Sequence, residues 1–275
     1  MIFRKLRLSD RGSASDLWRS IFEDSEEFTN WYFQKRFRPE HSFAAFDGDT
    51  LVSMTLGRGT EIFVGGRMHE ALLISGVATL PEYRKQGLMH KLVQMQLEDA
   101  KASGFACCYL YPVQESIYAS LGFRTGTHAL LIRSDDTRVH KPFTIKEGEN
   151  LHDMCAVYDA ALRCRNGMQK RGEDEFRMIL EDYAMDGSRT LIAYAENRPV
   201  GYICANPDGA ELLALCAPAY ECLLDEAAKR EGKPLTAIAP LDCGVAGERV
   251  YGMQYAVFDE AFSLPLENGF CKLPY

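Results

Sequence analysis

The 275-residue sequence contains no run near the ~20 consecutive apolar residues that a membrane-spanning helix needs. Met1-Ile2-Phe3-Arg4-Lys5 does not lead into the apolar core of a signal peptide either, so the expected location is the cytoplasm. There is no excess of positive charge. The 31 Lys and Arg against 39 Asp and Glu leave a formal charge of -8, which argues against nucleic acid or an anionic membrane as partner. Metal-ligand spacing is missing too: the six His are scattered, and the nine Cys form no C-x-x-C pair and none lies at zinc-ligand distance from a His. The cysteines read as reduced, mostly buried thiols, and no metal site is expected. With 47% hydrophobic residues, 22 Gly and 11 Pro, the composition is neither disordered nor collagen-like.

What is present is enough chain for two cores. Met1 to Leu8 alternates like a strand, and Leu17, Trp18, Ile21 and Phe22 then share one face of a helix. Ser25 before Glu26-Glu27-Phe28 starts a second helix, which carries Trp31, Tyr32, Phe33 and Phe37 and stops at Pro39. Hairpins follow: His41 to Phe46, Leu51 to Val64 and Met68 to Thr79, joined by Asp47-Gly48-Asp49 and Gly65-Gly66. Pro81 to Ser103 has helical spacing and ends at Gly104, Phe105 to Tyr111 reads as a buried strand, Glu115 to Leu121 as a short helix, and Phe123 to Arg133 as a further strand. The fold class is α+β, with a mixed central sheet flanked by helices.

Ser134 to Arg138 and Pro142 read as a linker, dividing the chain into domains 1–137 and 143–275. The pattern then recurs. Phe43 to Ser53 has an echo in Leu191 to Gly201, and Ala78-Thr79-Leu80-Pro81-Glu82-Tyr83 in Cys216-Ala217-Pro218-Ala219-Tyr220, which suggests a duplicated fold.

The chemistry concentrates between Leu73 and Leu92. A strand containing Gly76 meets a helix whose first turn holds Gly87, with Arg84, Lys85 and His90 beside it. The first amides of a helix have no internal acceptor and lie at the positive end of its dipole, so they can hold an anion; Gly87 would let a phosphate approach the backbone. Read alone, the same residues fit a soluble turn. Gly76 favours the first reading, because a bulge there would leave amides such as those of Val77 and Thr79 open to an extended ligand.

These residues resemble the GNAT superfamily of N-acetyltransferases, whose signature is a strand, Q/R-x-x-G-x-G/A opening a helix, a parallel strand, and a short helix with Tyr before G-F or G-Y. The counterparts are Arg84-Lys85-Gln86-Gly87-Leu88-Met89, with Met89 in place of the usual small residue, and Ile117-Tyr118-Ala119-Ser120-Leu121-Gly122-Phe123. Together with the Trp31-Tyr32-Phe33 helix they look most like the bacterial enhanced intracellular survival branch. That resemblance covers residues 1 to about 133 and implies the acyl-CoA N-acyltransferase fold followed by a second, degenerate copy, whose turn Pro218 to Leu224 lacks R-x-x-G. Members of the branch add a sterol-carrier-like third domain, for which 275 residues leave little room.

The resemblance also implies roles. Acetyl-CoA would lie on Val77, Ala78 and Thr79 and on the turn Arg84, Lys85, Gln86, Gly87, Leu88, Met89 and His90, with the Val77 amide polarising the thioester. Tyr118 would protonate the departing thiolate, and the chain-terminal carboxylate of Tyr275 would stand at the active site. Trp31, Phe33 and Glu70 are candidates for binding the acceptor, a primary amine of a small molecule or peptide; core packing is the other reading of the two aromatics, and a solvated strand residue the other reading of Glu70. Glu70 and Glu61 are also the candidate general bases. The opposing reading of the whole is a catalytically silent module that binds or senses acyl-CoA. A homo-oligomer stays open.

Overall fold

The structure, a computed structural model, describes residues 1–138, 143–206, 209–259, 262, 264, 266 and 269–270. They form two compact units that interleave along the chain. The first takes 1–62, 68–125 and the described part of 253–264; the second takes 63–67, the described part of 126–252 and that of 265–275. Among the described residues no helix is long and apolar enough to cross a membrane.

The first unit runs β1 (Ile2–Lys5), α1 (Arg11–Ile21), α2 (Glu26–Lys35), β2 (Phe43–Asp47), β3 (Thr50–Val64), β4 (Arg67–Thr79), α3 (Leu88–Ala102), β5 (Cys107–Leu110) and β6 (Arg124–Thr125), the tip of the β3–β4 hairpin lying with the second unit. Local chemistry sets several ends: Ser25 caps α2 by accepting the Phe28 N–H at 3.0 Å, and Gly104, at φ 86°, follows the last turn of α3. The helix expected over Glu115 to Leu121 is two 3-10 turns, Glu115–Ile117 and Ala119–Leu121, on either side of Tyr118.

The second unit follows with β7 (His128–Arg133), β8 (Thr144–Glu147), α4 (Leu151–Leu162), α5 (Glu173–Met185), β9 (Arg189–Ala195), β10 (Arg198–Asn206), β11 (Gly209–Ala214), α6 (Ala217–Glu231), β12 (Thr236–Pro240) and β13 (Glu248–Tyr251), after which β14 (Gln254–Val257) returns to the first unit. The two sheets repeat one plan. Their orders are β1-β2-β3-β4-β5-β14-β6 and β8-β9-β10-β11-β12-β7-β13. In each, the fourth and fifth strands pair in parallel and the sixth is antiparallel to both its neighbours. One 15-residue helix, α3 or α6, joins the parallel strands in each copy. The duplication expected from the two sequence echoes is therefore present.

The sixth strand departs from the sequence reading. Phe123 to Arg133 was expected as one strand, but only Arg124–Thr125 stays in the first sheet, while His128–Arg133 pairs with β12 and β13 of the second. The sixth place of the first sheet is filled by β14, which pairs with β5 from Gln254↔Leu110 to Val257↔Cys107. Each sheet thus takes its sixth strand from outside the stretch that supplies its first five: β14 follows that stretch in the first sheet and β7 precedes it in the second.

Apolar clusters cover both faces of the second sheet. One joins Leu191, Ile203 and Leu212 to Leu223 and Leu224 of α6; the other joins Ile192, Tyr202 and Leu213 to Met154 of α4 and Phe176 of α5. Burying each such side chain contributes about 1.5–3 kcal/mol. Within this core Arg171 Nη1 donates to Glu211 Oε1 at 2.5 Å, Tyr202 donates to the same oxygen at 2.9 Å, and the guanidinium lies 4.8 Å over the Tyr158 ring. Beside the pair is a cavity about the size of one water molecule, lined by Tyr158, Met168 and Phe270 among others. Arg171→Ala would leave the Glu211 charge buried without its cation and is expected to cost about 3–5 kcal/mol, read by urea unfolding. Adding Glu211→Gln should recover part of that loss; if the single variant unfolds like the wild type, the pair has no such weight.

Candidate functional site

The site begins with an interruption of strand pairing. β4 and β5 pair at Ala71↔Cys107, Leu72↔Cys108 and Leu73↔Tyr109, and β4 continues to Thr79 without further partners on that side among the described residues. Gly76 sits in this stretch at φ 53°, where a Cβ would lie 2.6 Å from Trp18 Cζ3 and 2.9 Å from Leu56 Cδ1. Both the left-handed backbone and the close approach of the indole require glycine. Next to it, Ser75 Oγ shares a hydrogen bond of 2.9 Å with the hydroxyl of buried Tyr32 on α2. The edge of β4 facing β5 is therefore open from Ile74 onward.

The chain then reaches α3 through a 3-10 turn, Pro81–Tyr83. Arg84 Nε donates to the Thr79 carbonyl at 3.2 Å and Gln86 Nε2 to that of Glu82 at 3.3 Å. Lys85, at φ 62°, is a non-glycine held in the left-handed region, and Gly87 follows at φ 76° as the residue preceding α3. A lysine in that conformation costs about 1–2 kcal/mol, and such strain tends to collect at functional turns. The first amide of the helix with an acceptor is that of Lys91, bonded to the Gly87 carbonyl at 3.1 Å. Gly87 offers no side-chain cap, so the N–H groups of Leu88, Met89 and His90 have no acceptor among the described residues.

Not every expected residue of this stretch faces the opening. Arg84, Lys85, Gln86, Gly87 and His90 are exposed. Leu88 is buried against Phe43, Ala45, Val52 and Leu92, where it anchors the helix start. Ala78 is buried and its carbonyl accepts from Ser53 Oγ at 3.0 Å, while Thr79 Oγ1 shares a 2.8 Å bond with the same hydroxyl. Val77, Met89 and Tyr118 are half-buried and pack against one cluster that includes Leu72, Ile74, Cys108 and Phe123. The Tyr118 ring lies 5.7 Å from that of Phe123. Burial raises its pKa above the ordinary phenol value, so the hydroxyl is protonated at neutral pH.

The remaining candidates lie apart. Glu70 is exposed near the start of β4, seven residues before Val77, which at ~3.3 Å per residue is about 23 Å along the strand. Glu61 is half-buried on β3. Phe33 is 3% exposed and packs its ring against those of Trp18, Tyr32 and Phe37, while Trp31 lies by Phe28 and the Arg36 guanidinium. Tyr275 falls outside the described residues.

Known proteins share this fold. The model of the family described as "Acetyltransferase (GNAT) domain" matches residues 3–126. Residues 3–126 thus carry the likeness to the GNAT acetyltransferase domain. An uncharacterized N-acetyltransferase of Streptomyces avermitilis is 26% identical over 200 residues, which cover 66% of this chain and 48% of that protein. The chain thus spans about half the length of that curated relative. Among solved structures, a conserved protein of unknown function from Enterococcus faecalis V583 superposes at TM-score 0.75 with 18% identity, covering 97% of this chain and 73% of that one. Eis1 from Mycobacterium abscessus superposes at 0.69 with 14% identity, covering 94% and 74%. At these identities the likeness is one of fold, and it extends over both units.

The open turn is specific to the GNAT domain. In the second copy, the residue preceding α6 is Cys216, whose carbonyl already accepts the amides of Ala219 and Tyr220 at 3.1 and 3.3 Å. Glu221 follows directly after that first turn and would repel a phosphate. Within the GNAT domain, Cys107 and Cys108 are fully buried on β5 and burial pushes both thiols well up, away from the thiolate a nucleophile needs. Sequence reasoning missed the hydrogen bond between Tyr32 and Ser75 and the left-handed Lys85; neither residue type announces such a role.

Proposed function

We propose that the chain is an N-acetyltransferase that moves the acetyl group of acetyl-CoA to a primary amine of a small molecule or peptide. The observation that carries this reading is the pairing of two open backbone sites: the unbonded amides at the start of α3 and the unpaired edge of β4 after Leu73. The first suits a pyrophosphate, because donors and helix dipole point the same way, and Arg84, Lys85 and His90 add charge or hydrogen bonds at its rim. The second suits pantetheine amides lying alongside like an added strand, with the Val77 amide available to polarise the thioester carbonyl.

In the transfer the amine nitrogen attacks the carbonyl carbon, the C–S bond breaks, and the thiolate takes a proton. Tyr118 is the donor this reading selects: it packs on the same cluster as Val77, and its phenol is protonated at neutral pH. With both thiols of β5 held neutral, direct transfer is favoured over an acyl-cysteine route.

Gly87→Glu tests the phosphate turn. A Cβ there meets nothing within 4 Å, so the variant should fold at a cost of about 1–2 kcal/mol for the left-handed backbone. Coenzyme A affinity, measured by isothermal titration, should fall at least about tenfold as the carboxylate opposes the phosphates. Undiminished affinity would remove the turn from the site. The activity itself is tested by thiol release from acetyl-CoA across a panel of amines. Binding without release for any acceptor would assign the chain to acyl-CoA sensing instead.

A further inference from the structure

The ring of Tyr118 packs on the Phe123 cluster, but the residues around it add little packing. Val113, Gln114, Glu115, Ser116 and Ile117 are all exposed, as are Ala119 and Ser120, so the hydrophobic effect alone does not set the position of the turn. On its C-terminal side the Tyr118 carbonyl is tied by the amides of Leu121 and Phe123 at 3.0 and 3.4 Å. On its N-terminal side the Ile117 amide bonds the Gln114 carbonyl at 3.2 Å, and Glu115 is held from further along the chain. Gln254, the first residue of β14, donates from Nε2 to the Glu115 carbonyl at 2.9 Å, and Thr125 Oγ1 donates to Glu115 Oε1.

The place of Gln254 in the sheet suits a role at the site. It is in register with Leu110 of β5, one residue beyond Tyr109, where the β4–β5 pairing ends. It therefore stands at the end of the sheet where β4 and β5 part. Gln254 is 3% exposed, and its Oε1 is buried without a hydrogen-bond partner among the described residues. An amide buried with its oxygen unpaired is a poorer filler than an apolar side chain, so packing alone does not account for Gln at this position.

From these observations we infer that Gln254 is a positioning residue for Tyr118: it fixes the turn beginning at Glu115, and through it the place of the phenol. The inference rests on the reading of Tyr118 as the acid. Its physical content is that a proton donor displaced by about 1 Å loses on the order of a hundredfold in rate while substrate binding persists. The exchanged strand would then make acid–base geometry in the GNAT domain depend on chain that lies beyond the second copy.

The test is a double-mutant cycle in the full chain, read as acceptor-dependent thiol release with the best amine of the panel at saturating acetyl-CoA. Gln254→Met keeps the length and removes the donor. Its kcat should fall roughly 10- to 100-fold with KM for acetyl-CoA unchanged, and adding it to Tyr118→Phe should lower kcat no further. A merely structural Gln254 would lower the melting temperature and leave kcat as it was, or multiply its loss with that of Tyr118→Phe; either result overturns the inference while leaving the acid in place. Full turnover by Tyr118→Phe, or no release by the wild type with any amine, would instead remove the reading beneath it. If Gln254→Met does not fold, Gln254→Asn, which keeps the amide and draws it back by one methylene, is measured by the same criteria.

Discussion

Tyr118→Phe is expected to slow acetyl transfer by roughly two to four orders of magnitude at saturating acetyl-CoA, with affinity for the cofactor retained. The substitution keeps the ring that packs against Phe123 and the cluster around Cys108, so the fold has no reason to change. What it removes is the one proton that the thiolate would take. Because burial raises the Tyr118 pKa, the acid form persists above the ordinary phenol range, and the alkaline fall in wild-type turnover that reports this group should lie correspondingly high. A hydroxyl that served only packing or a single hydrogen bond would instead cost about 1 kcal/mol of stability and leave turnover intact. Thiol release by both proteins, with melting temperatures measured alongside, separates the cases, and equal rates would sink the assignment.

The second large effect concerns where the GNAT domain ends. Cutting after Arg138 keeps the whole family match and every candidate residue of the turn, and the linker reading of Ser134 to Arg138 makes it the natural place to divide the chain. The topology predicts that this fragment fails to fold. It lacks β14, which lies between β5 and β6 and pairs with both. With β14 goes Tyr255, fully buried and stacked on Tyr109 at 5.8 Å. Losing a buried aromatic costs about 3–5 kcal/mol, and a domain is stable by only about 5–15. The cut also leaves the β5 edge unpaired and β7 without β12 and β13, which invites aggregation. Residues 1–138 should show no cooperative melt and no coenzyme A binding by titration. A cooperative transition with retained binding would show that the strand from beyond the second copy is dispensable.

Much of the turn was readable in the sequence because its causes are local. Ser25 before two glutamates states a capped helix start, and Gly104 states the end of α3. Gly76 and Gly87 both occupy left-handed backbone, as the break in strand pairing and the turn before α3 require. The aromatic residues of α2 were harder to assign. Spacing places Trp31, Tyr32 and Phe33 on a helix but does not tell a pocket wall from a core, and only the packing shows Phe33 enclosed by three other rings. Glu70 was proposed for its charge on a strand; the run of β4 puts it at the end away from α3.

The sequence by itself determined the order of helices and hairpins, the duplication, and the turn that opens α3, because periodicity, caps and glycine conformations act over a few residues. Only the tertiary structure decided which strand completes each sheet. Residues 128–133 alternate well enough to join either sheet, and Gln254 to Val257 carries no mark that it pairs with Cys107 to Leu110. Such pairing is chosen by burial summed over a whole face, here with Tyr255 closing on Tyr109, between segments roughly 145 residues apart in the chain.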